Sequence, residues 1–413
     1  MMTTMATADG VCAQPHALGE TLALRRGVSL VGWYSWPAVG SSPGSYADDP
    51  FPQKGGLSEA EVTRLRALGF DFIRLPVDPG PLLAADPGRR ARLLARIGES
   101  VARLRNAGLN VVWDYHPPGR NLTYGFAGIF TETAPLAVPY RALLAETAAL
   151  LAKQPGTALE IINEPAGYCT PDEPAADRIM RAAYVSIRSR APRLPLVVEG
   201  ACLASIDGLV NGRLASLALD PQVIFSFHFY EPNLFALQGD PGTASPLLRN
   251  LNRLPYPARG GDASAIIRRF GTNLAQDSAI TMRRDDALAS GSRAITRYLH
   301  SLAGAGLIAE RFGLVSKWAA AHGIAPQRIL LGEFGAVRFD GTVGAEPVDR
   351  ERWLTDVRRQ AEVSGFGWCF WAYFDPRNRM SLVLAPARQV DAEAVRALGL
   401  NVPGTLSNRT SSR

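Results

Sequence analysis

The chain has 413 residues, of which 47% are apolar and 20% charged, and it carries a net charge of +6. That is the balance of an ordinary globular protein, large enough to build a core without help from metals or disulfides. No run approaches the ~18 uninterrupted apolar residues of a membrane-spanning helix. The basic residues are nearly all arginine and scattered, singly or in pairs such as Arg25-Arg26 and Arg283-Arg284. Neither a transmembrane segment nor a nucleic-acid partner is therefore expected.

Residues 1–25 read as an N-terminal tail. The first 19 are small and polar with no apolar block, so they do not read as a secretory signal. A twin-arginine signal at Arg25-Arg26 is the weaker reading of a stretch better explained as a first strand. On sequence alone the protein is expected to stay in the cytoplasm, unless the true start lies upstream or another export route delivers it to the periplasm or medium. Residues 26–400 read as one domain and 401–413 as a polar C-terminal tail.

Within that domain, short apolar runs recur at 27–34, 70–77, 109–115, 157–163, 194–199, 223–229, 328–332 and 365–371. They are continuously apolar rather than alternating, as strands covered on both faces should be. Helical patterns lie between them at 58–68, 89–107, 140–153, 174–190, 292–321 and 349–363. Ser58 followed by Glu61 is a capping-box start. Gly69 and Gly108 stand where helices should stop. Eight strands alternating with helices mark an α/β protein, either a doubly wound sheet or a single (β/α)8 TIM barrel, and the count favours the barrel. Residues 231–290, rich in Gly, Pro, Asn and Arg, read as a long loop insertion between strands six and seven.

A parallel barrel carries its chemistry at the C-terminal ends of its strands. Those ends hold Arg74 on strand two, Asp114 and His116 on strand three, and Asn163-Glu164 on strand four. His228 and Tyr230 end strand six, Glu333 strand seven and Trp371 strand eight. Glu164 and Glu333 come from strands on opposing sides of the mouth. Two carboxylates facing each other across a groove are what glycoside hydrolysis needs: one protonates the leaving oxygen and the other attacks the anomeric carbon. The plainer alternative is that each glutamate pairs with an arginine at a strand end. Arg74 is expected to hold one glutamate ionised, with Tyr230 donating to the same group. Asn163 is placed to bind a sugar hydroxyl, and Trp371 to offer a flat stacking face. Two of only five histidines, His116 and His228, fall at strand ends. Trp33, Trp36, Tyr115, Tyr124 and Tyr168 are further candidates to line a groove, or else ordinary loop packing. Cys169 and Cys202 follow neighbouring strands, so a disulfide between them is geometrically possible.

Taken together, "FIRLP", "WDYHP", the Asn163-Glu164-Pro165 triplet, "HFY", "LLGEFG" and "CFWAYFD" resemble the cellulase-like family 5 glycoside hydrolases, over roughly residues 25–375. The opening "RRGVSLVGW" is also similar to the start of that family's barrel. The resemblance implies that Glu164 is the general acid/base and Glu333 the nucleophile. It places Arg74, His116, Asn163, His228, Tyr230 and Trp371 around the reactive sugar. It further implies retention of anomeric configuration, with no metal and no organic cofactor. The substrate would be a β-linked oligo- or polysaccharide, cut in the manner of an endo-β-1,4-glucanase. A β-mannanase, an exo-β-glucanase or a catalytically silent carbohydrate-binding barrel are the alternatives. The chemistry needs a protonated acid and an ionised nucleophile, so Glu333 beside Arg74 is expected low and Glu164 high.

Overall fold

The computed structural model describes residues 22, 24–42, 44–52, 56–118, 123–166, 175–375, 377, 379–384 and 388–401. Eight parallel strands close into a barrel in the order of the chain. They are β1 (Arg26–Ser29), β2 (Phe72–Val77), β3 (Asn110–Tyr115), β4 (Thr157–Glu160), β5 (Leu196–Glu199), β6 (Val223–Phe229), β7 (Ile329–Phe334) and β8 (Gly367–Phe370). Each of the eight expected runs overlaps one of them, β1 beginning one residue earlier and β7 ending two residues later than expected. Residues of β2 through β8 are buried throughout, which is why their sequence does not alternate.

Alternation survives in what the two faces hold. Phe72, Val112, Ala158, Val197, Ile224, Leu330 and Cys369, one from each of β2 to β8, form an apolar cluster of their own. It is separate from the larger core between strands and helices. These seven fill the barrel's lower interior, none more than 4% exposed. Two residues further along, on the same face, β2 to β6 present Arg74, Asp114, Glu160, Glu199 and Ser226, all 0 or 1% exposed. A dry floor with a polar layer directly above it thus follows from strand parity alone.

One strand breaks the parity. Phe227 pairs with Leu331, but His228 pairs with Glu333, so β7 holds one residue more than its neighbour at this point. The bulge falls at Gly332, and it turns Glu333 inward beside His228 where strict alternation from Leu330 would turn it out. A Cβ on Gly332 would lie 2.4 Å from Ser226 Oγ and 3.1 Å from His228 Nε2. Glycine is what lets β6 and β7 approach here.

The surrounding helices begin and end for local reasons. In α1 (Glu59–Leu68), Ser58 Oγ accepts from Glu61 N–H and Glu61 Oε2 accepts from Ser58 N–H, and Gly69 ends the helix with φ 98°. Asp86 caps α2 (Pro87–Asn106). The helices α3 (Ala137–Leu151), α4 (Ala175–Arg188) and α5 (Ile206–Asn211) follow β3, β4 and β5.

Two expectations are corrected between β6 and β7. The stretch read as a loop at 231–290 contains α6 (Ala263–Gln276) and most of the first half of α7 (Arg284–His300), packed on one another. Its polar residues cap and tie the backbone. Asp262 caps α6, and Asp277 Oδ2 accepts from Arg249 and from Asn250 Nδ2. The single helix read over 292–321 is two, α7 and α8 (Ala305–Ala321). They are divided where Ser301 turns extended and Ala303 O accepts from Ala258 N–H. The chain then runs through α9 (Pro347–Val363), a hairpin of β9 (Val383–Leu384) and β10 (Gln389–Val390), and α10 (Ala392–Ala397). Strands of two residues carry too little pattern to be read in advance. No described helix is long and apolar enough to cross a membrane.

Candidate active site

Above the apolar floor, charge is organised around one arginine. The Arg74 side chain is fully buried. Its Nε and Nη2 donate to the two carboxylate oxygens of Glu160 at 2.8 and 2.6 Å. Nη2 also donates to Asn163 Oδ1 at 2.7 Å and sits 3.0 Å from Asp114 Oδ2. Nη1 donates to Glu333 Oε1 at 2.5 Å. Only a planar fork of five donors serves so many acceptors at once. Burial alone would pull this guanidinium down, but the carboxylates of Asp114, Glu160 and Glu333 outweigh it and keep it charged.

Glu333 and Glu164 meet over this base. Glu333 Oε2 accepts from the Tyr230 hydroxyl at 2.9 Å. His228 Nδ1 lies 3.0 Å from Glu164 Oε1 and 3.6 Å from Glu333 Oε2. One oxygen of Glu164, one of Glu333 and a ring nitrogen of His228 all fall within 4.8 Å of one another. The Glu333 side chain is 5% exposed and that of Glu164 33%, so one carboxylate is sunk in the protein while the other reaches into the mouth. On the far side of His228, Nε2 is 2.7 Å from Glu199 Oε1.

The electrostatics depart from expectation at Glu333. Burial raises it above the usual carboxylate range, and the attraction of His228 and Arg74 only partly offsets this, with Glu164 pushing further up. An adjacent arginine does not guarantee a depressed carboxylate where solvent is excluded. Glu160 is raised much further by burial, against the pull of Arg74, with Asp114 and Glu199 repelling it. Burial also works upward on Glu199, but His228 and Arg74 bring it down to about 2. His228 loses affinity for its proton by burial and regains more from Glu199 and Glu333, so it stays an imidazolium well above the ordinary histidine range. Burial and the neighbouring Glu333 and Glu164 keep the Tyr230 phenol protonated, hence a donor.

The remaining expected residues join the same assembly. His116 Nδ1 lies 2.9 Å from Asp114 Oδ2, and Asn163 Nδ2 lies 3.5 Å from His116 Nε2. Trp371 is 6% exposed, with its ring stacked on His116 at 5.5 Å and 19°. A cavity of about 650 Å³ opens above, lined by His116, Glu164, His228, Tyr230, Glu333 and Trp371, with Leu203, Leu237 and Asp240 on its wall. Arg74 and Asn163 lie beneath that lining. All eight residues singled out in the sequence are therefore in one place.

Asp114, Glu160 and Glu199 were given no role in the sequence reading. Their signal is parity: each stands two residues after a floor residue, Glu160 within its apolar run and Asp114 and Glu199 at or next to the end of theirs. The groove aromatics divide. Tyr115 points the other way, fully buried with its hydroxyl on Thr147, and Trp33 is only 3% exposed. Trp36 is 38% exposed, edge-on to His116, with the Arg377 guanidinium over its ring. Tyr124 packs on Tyr46, and Tyr168 lies outside the described residues. Cys202 is disulfide-bonded, and Cys169, its expected partner, also lies outside the described residues.

The fold and this mouth define a (β/α)8 barrel enzyme with its polar chemistry at the C-terminal strand ends. The chain belongs to glycosyl hydrolase family 5, the cellulase family, whose model matches residues 51–374. Endoglucanase C of Acetivibrio thermocellus is 26% identical over 247 residues, which is 58% of this chain and 66% of that protein, just under two thirds of its length. Among solved structures, the cellulose synthase subunit Z of Clostridioides difficile superposes with a TM-score of 0.62 at 20% identity, over 91% of this chain and 99% of that one. The Cel5A of Thermotoga maritima in complex with cellobiose gives 0.64 at 18%, over 91% and 97%. A family 5 lichenase from Caldicellulosiruptor sp. F32, in complex with cellotetraose, gives 0.60 at 16%, over 96% and 98%. At these identities the solved structures attest the shared barrel.

Proposed function

We propose that the protein is a retaining glycoside hydrolase that cuts β-glycosidic bonds within a polysaccharide, in the manner of an endo-β-1,4-glucanase. The observation that carries this reading is the approach of the Glu164 and Glu333 carboxylate oxygens to within 4.8 Å across the barrel mouth. Carboxyl groups about 5–5.5 Å apart suit double displacement, whereas inverting enzymes need a wider gap for water. Glu333, fixed by Arg74 and Tyr230, attacks the anomeric carbon as Glu164 gives its proton to the departing glycosidic oxygen. Glu164, now ionised, takes a proton from water, and that water displaces Glu333 from the sugar. As negative charge leaves Glu333 in the first step, its hydrogen bond from the Tyr230 hydroxyl weakens. Asn163, His116 and Trp371 hold the sugar that reacts. The names of the relatives favour β-glucans, and the cavity that holds the two glutamates, about 650 Å³ and lined also by Leu203 and Asp240, has room for a saccharide.

The test is a screen against soluble β-glucans, mannan and xylan, with product lengths read by chromatography. An oligomer ladder from a β-1,4-glucan is expected; a single released sugar would replace the endo reading with an exo one. Glu333→Gln should lose turnover by roughly 10⁴-fold or more while still binding oligosaccharide. Glu164→Ala should retain attack on an activated aryl glycoside and be rescued by azide. Near-normal activity of Glu333→Gln would remove the assignment.

A further inference from the structure

Glu164 does not hold its position unaided. Its backbone has φ 45°, a left-handed conformation that a non-glycine residue keeps only where the surroundings over-determine it. The determining contacts come from one side chain. Glu199 Oε2 accepts the Glu164 backbone N–H at 2.6 Å. Glu199 Oε1 lies 2.7 Å from His228 Nε2, and the other nitrogen of that ring lies 3.0 Å from Glu164 Oε1. One buried carboxylate therefore grips both the backbone and, through an imidazole, the side chain of the same residue.

Glu199 is itself anchored. It ends β5 and is 1% exposed. A Cβ on the next residue, Gly200, would lie 2.4 Å from Leu209 N, so the chain passes against α5 too closely for any side chain. The Leu203 N–H then donates to Pro165 O at 3.2 Å, joining the turn after β5 to the turn after Glu164. Burial opposes charge on Glu199, yet His228 and Arg74 hold it at about 2. The contact between Glu199 and His228 is thus ionic.

We propose that Glu199 is the positioning residue of the acid/base: it fixes the Glu164 backbone and orients the His228 ring that steers the Glu164 carboxyl toward the glycosidic oxygen. This rests on the reading of Glu164 as acid/base. A mispositioned acid harms substrates that need protonation of the leaving group and spares those that do not. A merely structural role harms both alike.

The experiment compares kcat/KM for phenyl and dinitrophenyl β-cellobiosides. Glu199→Gln keeps the shape and removes the charge. It should lose about 10²-fold on the phenyl substrate and less than about threefold on the dinitrophenyl one, the size expected for impaired general acid catalysis. Azide should raise its kcat on the dinitrophenyl substrate. Introduced on a Glu164→Gln background, Glu199→Gln should cost nothing further there. Equal losses on both substrates, or a further tenfold fall in the double variant, would overturn the positioning role. If Glu199→Gln does not fold, Glu199→Asp, which keeps the charge but shortens the reach, is read by the same ratio. If Glu164→Gln itself shows no leaving-group selectivity, the acid assignment fails and the inference falls with it. A selective Glu164→Gln with an unselective Glu199 variant defeats the positioning role alone.

Discussion

Asp78 closes the turn after β2, its carboxylate accepting the Gly80 N–H at 2.7 Å while it is only 2% exposed. Burial raises it to about 7, against that hydrogen bond and the attraction of His116. An unfolded aspartate titrates near 3.9. Between those values the folded protein holds a proton the unfolded chain has lost, so stability falls as pH rises from about 4 to about 7, and levels off above. This is the reverse of an ion-paired carboxylate. Asp78→Asn, which still accepts from Gly80, should be near-neutral at pH 4 and stabilising by on the order of 2–4 kcal/mol at pH 8. Thermal unfolding of both proteins at the two pH values checks this, and a gain that does not change with pH would refute it. The same competition explains Glu333. A sequence shows that Arg74 and Glu333 end facing strands, which is enough to expect an ion pair. It does not show how completely water is removed, and burial is the larger effect there.

At the level of elements, the strands and the placement of all eight expected site residues were legible, because apolar runs and polar strand ends are local signals. What was hidden depends on register. Glu160 and Glu199 reach the interior through parity, which needs the floor residues Ala158 and Val197 to be recognised as inward-facing. Glu333 reaches it through the bulge at Gly332, which only the pairing with His228 reveals. The helices after β6 were hidden by composition, since the Asn and Arg that suggested a loop serve, together with Asp262 and Asp277, as caps and ties. Gln238 makes a further tie. It is fully buried, with its amide donating to Phe235 O and Leu254 O and accepting from Leu254 N–H at 2.8 Å. Gln238→Ala leaves buried backbone groups unpaired and should cost about 2–3 kcal/mol. Denaturant unfolding measures the loss, and limited proteolysis should show earlier nicking between β6 and α6. An unchanged midpoint would mean that the insertion does not depend on this side chain.

For the whole molecule, the cysteines tie stability to redox conditions. Cys202 is disulfide-bonded, whereas Cys369 sits in the barrel floor, fully buried, with burial pushing its thiol up to about 12. Reductant should therefore lower the melting temperature, a native disulfide being worth about 2–4 kcal/mol, and a non-reducing peptide map should show a crosslinked Cys202 peptide. Cys369 should resist alkylation until the protein unfolds. Intact mass unchanged by reductant would rule the bond out. The floor that holds Cys369 also governs how the charged layer communicates with solvent. Phe72, Val112, Ala158, Val197, Ile224, Leu330 and Cys369 seal the vessel from below, so a saccharide lodged at the rim acts as a stopper. Beneath it, the proton that burial favours on Glu160 and Glu333 has no path to the bulk through the floor. Exchange of those protons with solvent would then run through the mouth alone, on the Glu164 side, and would slow for as long as the sugar stays docked.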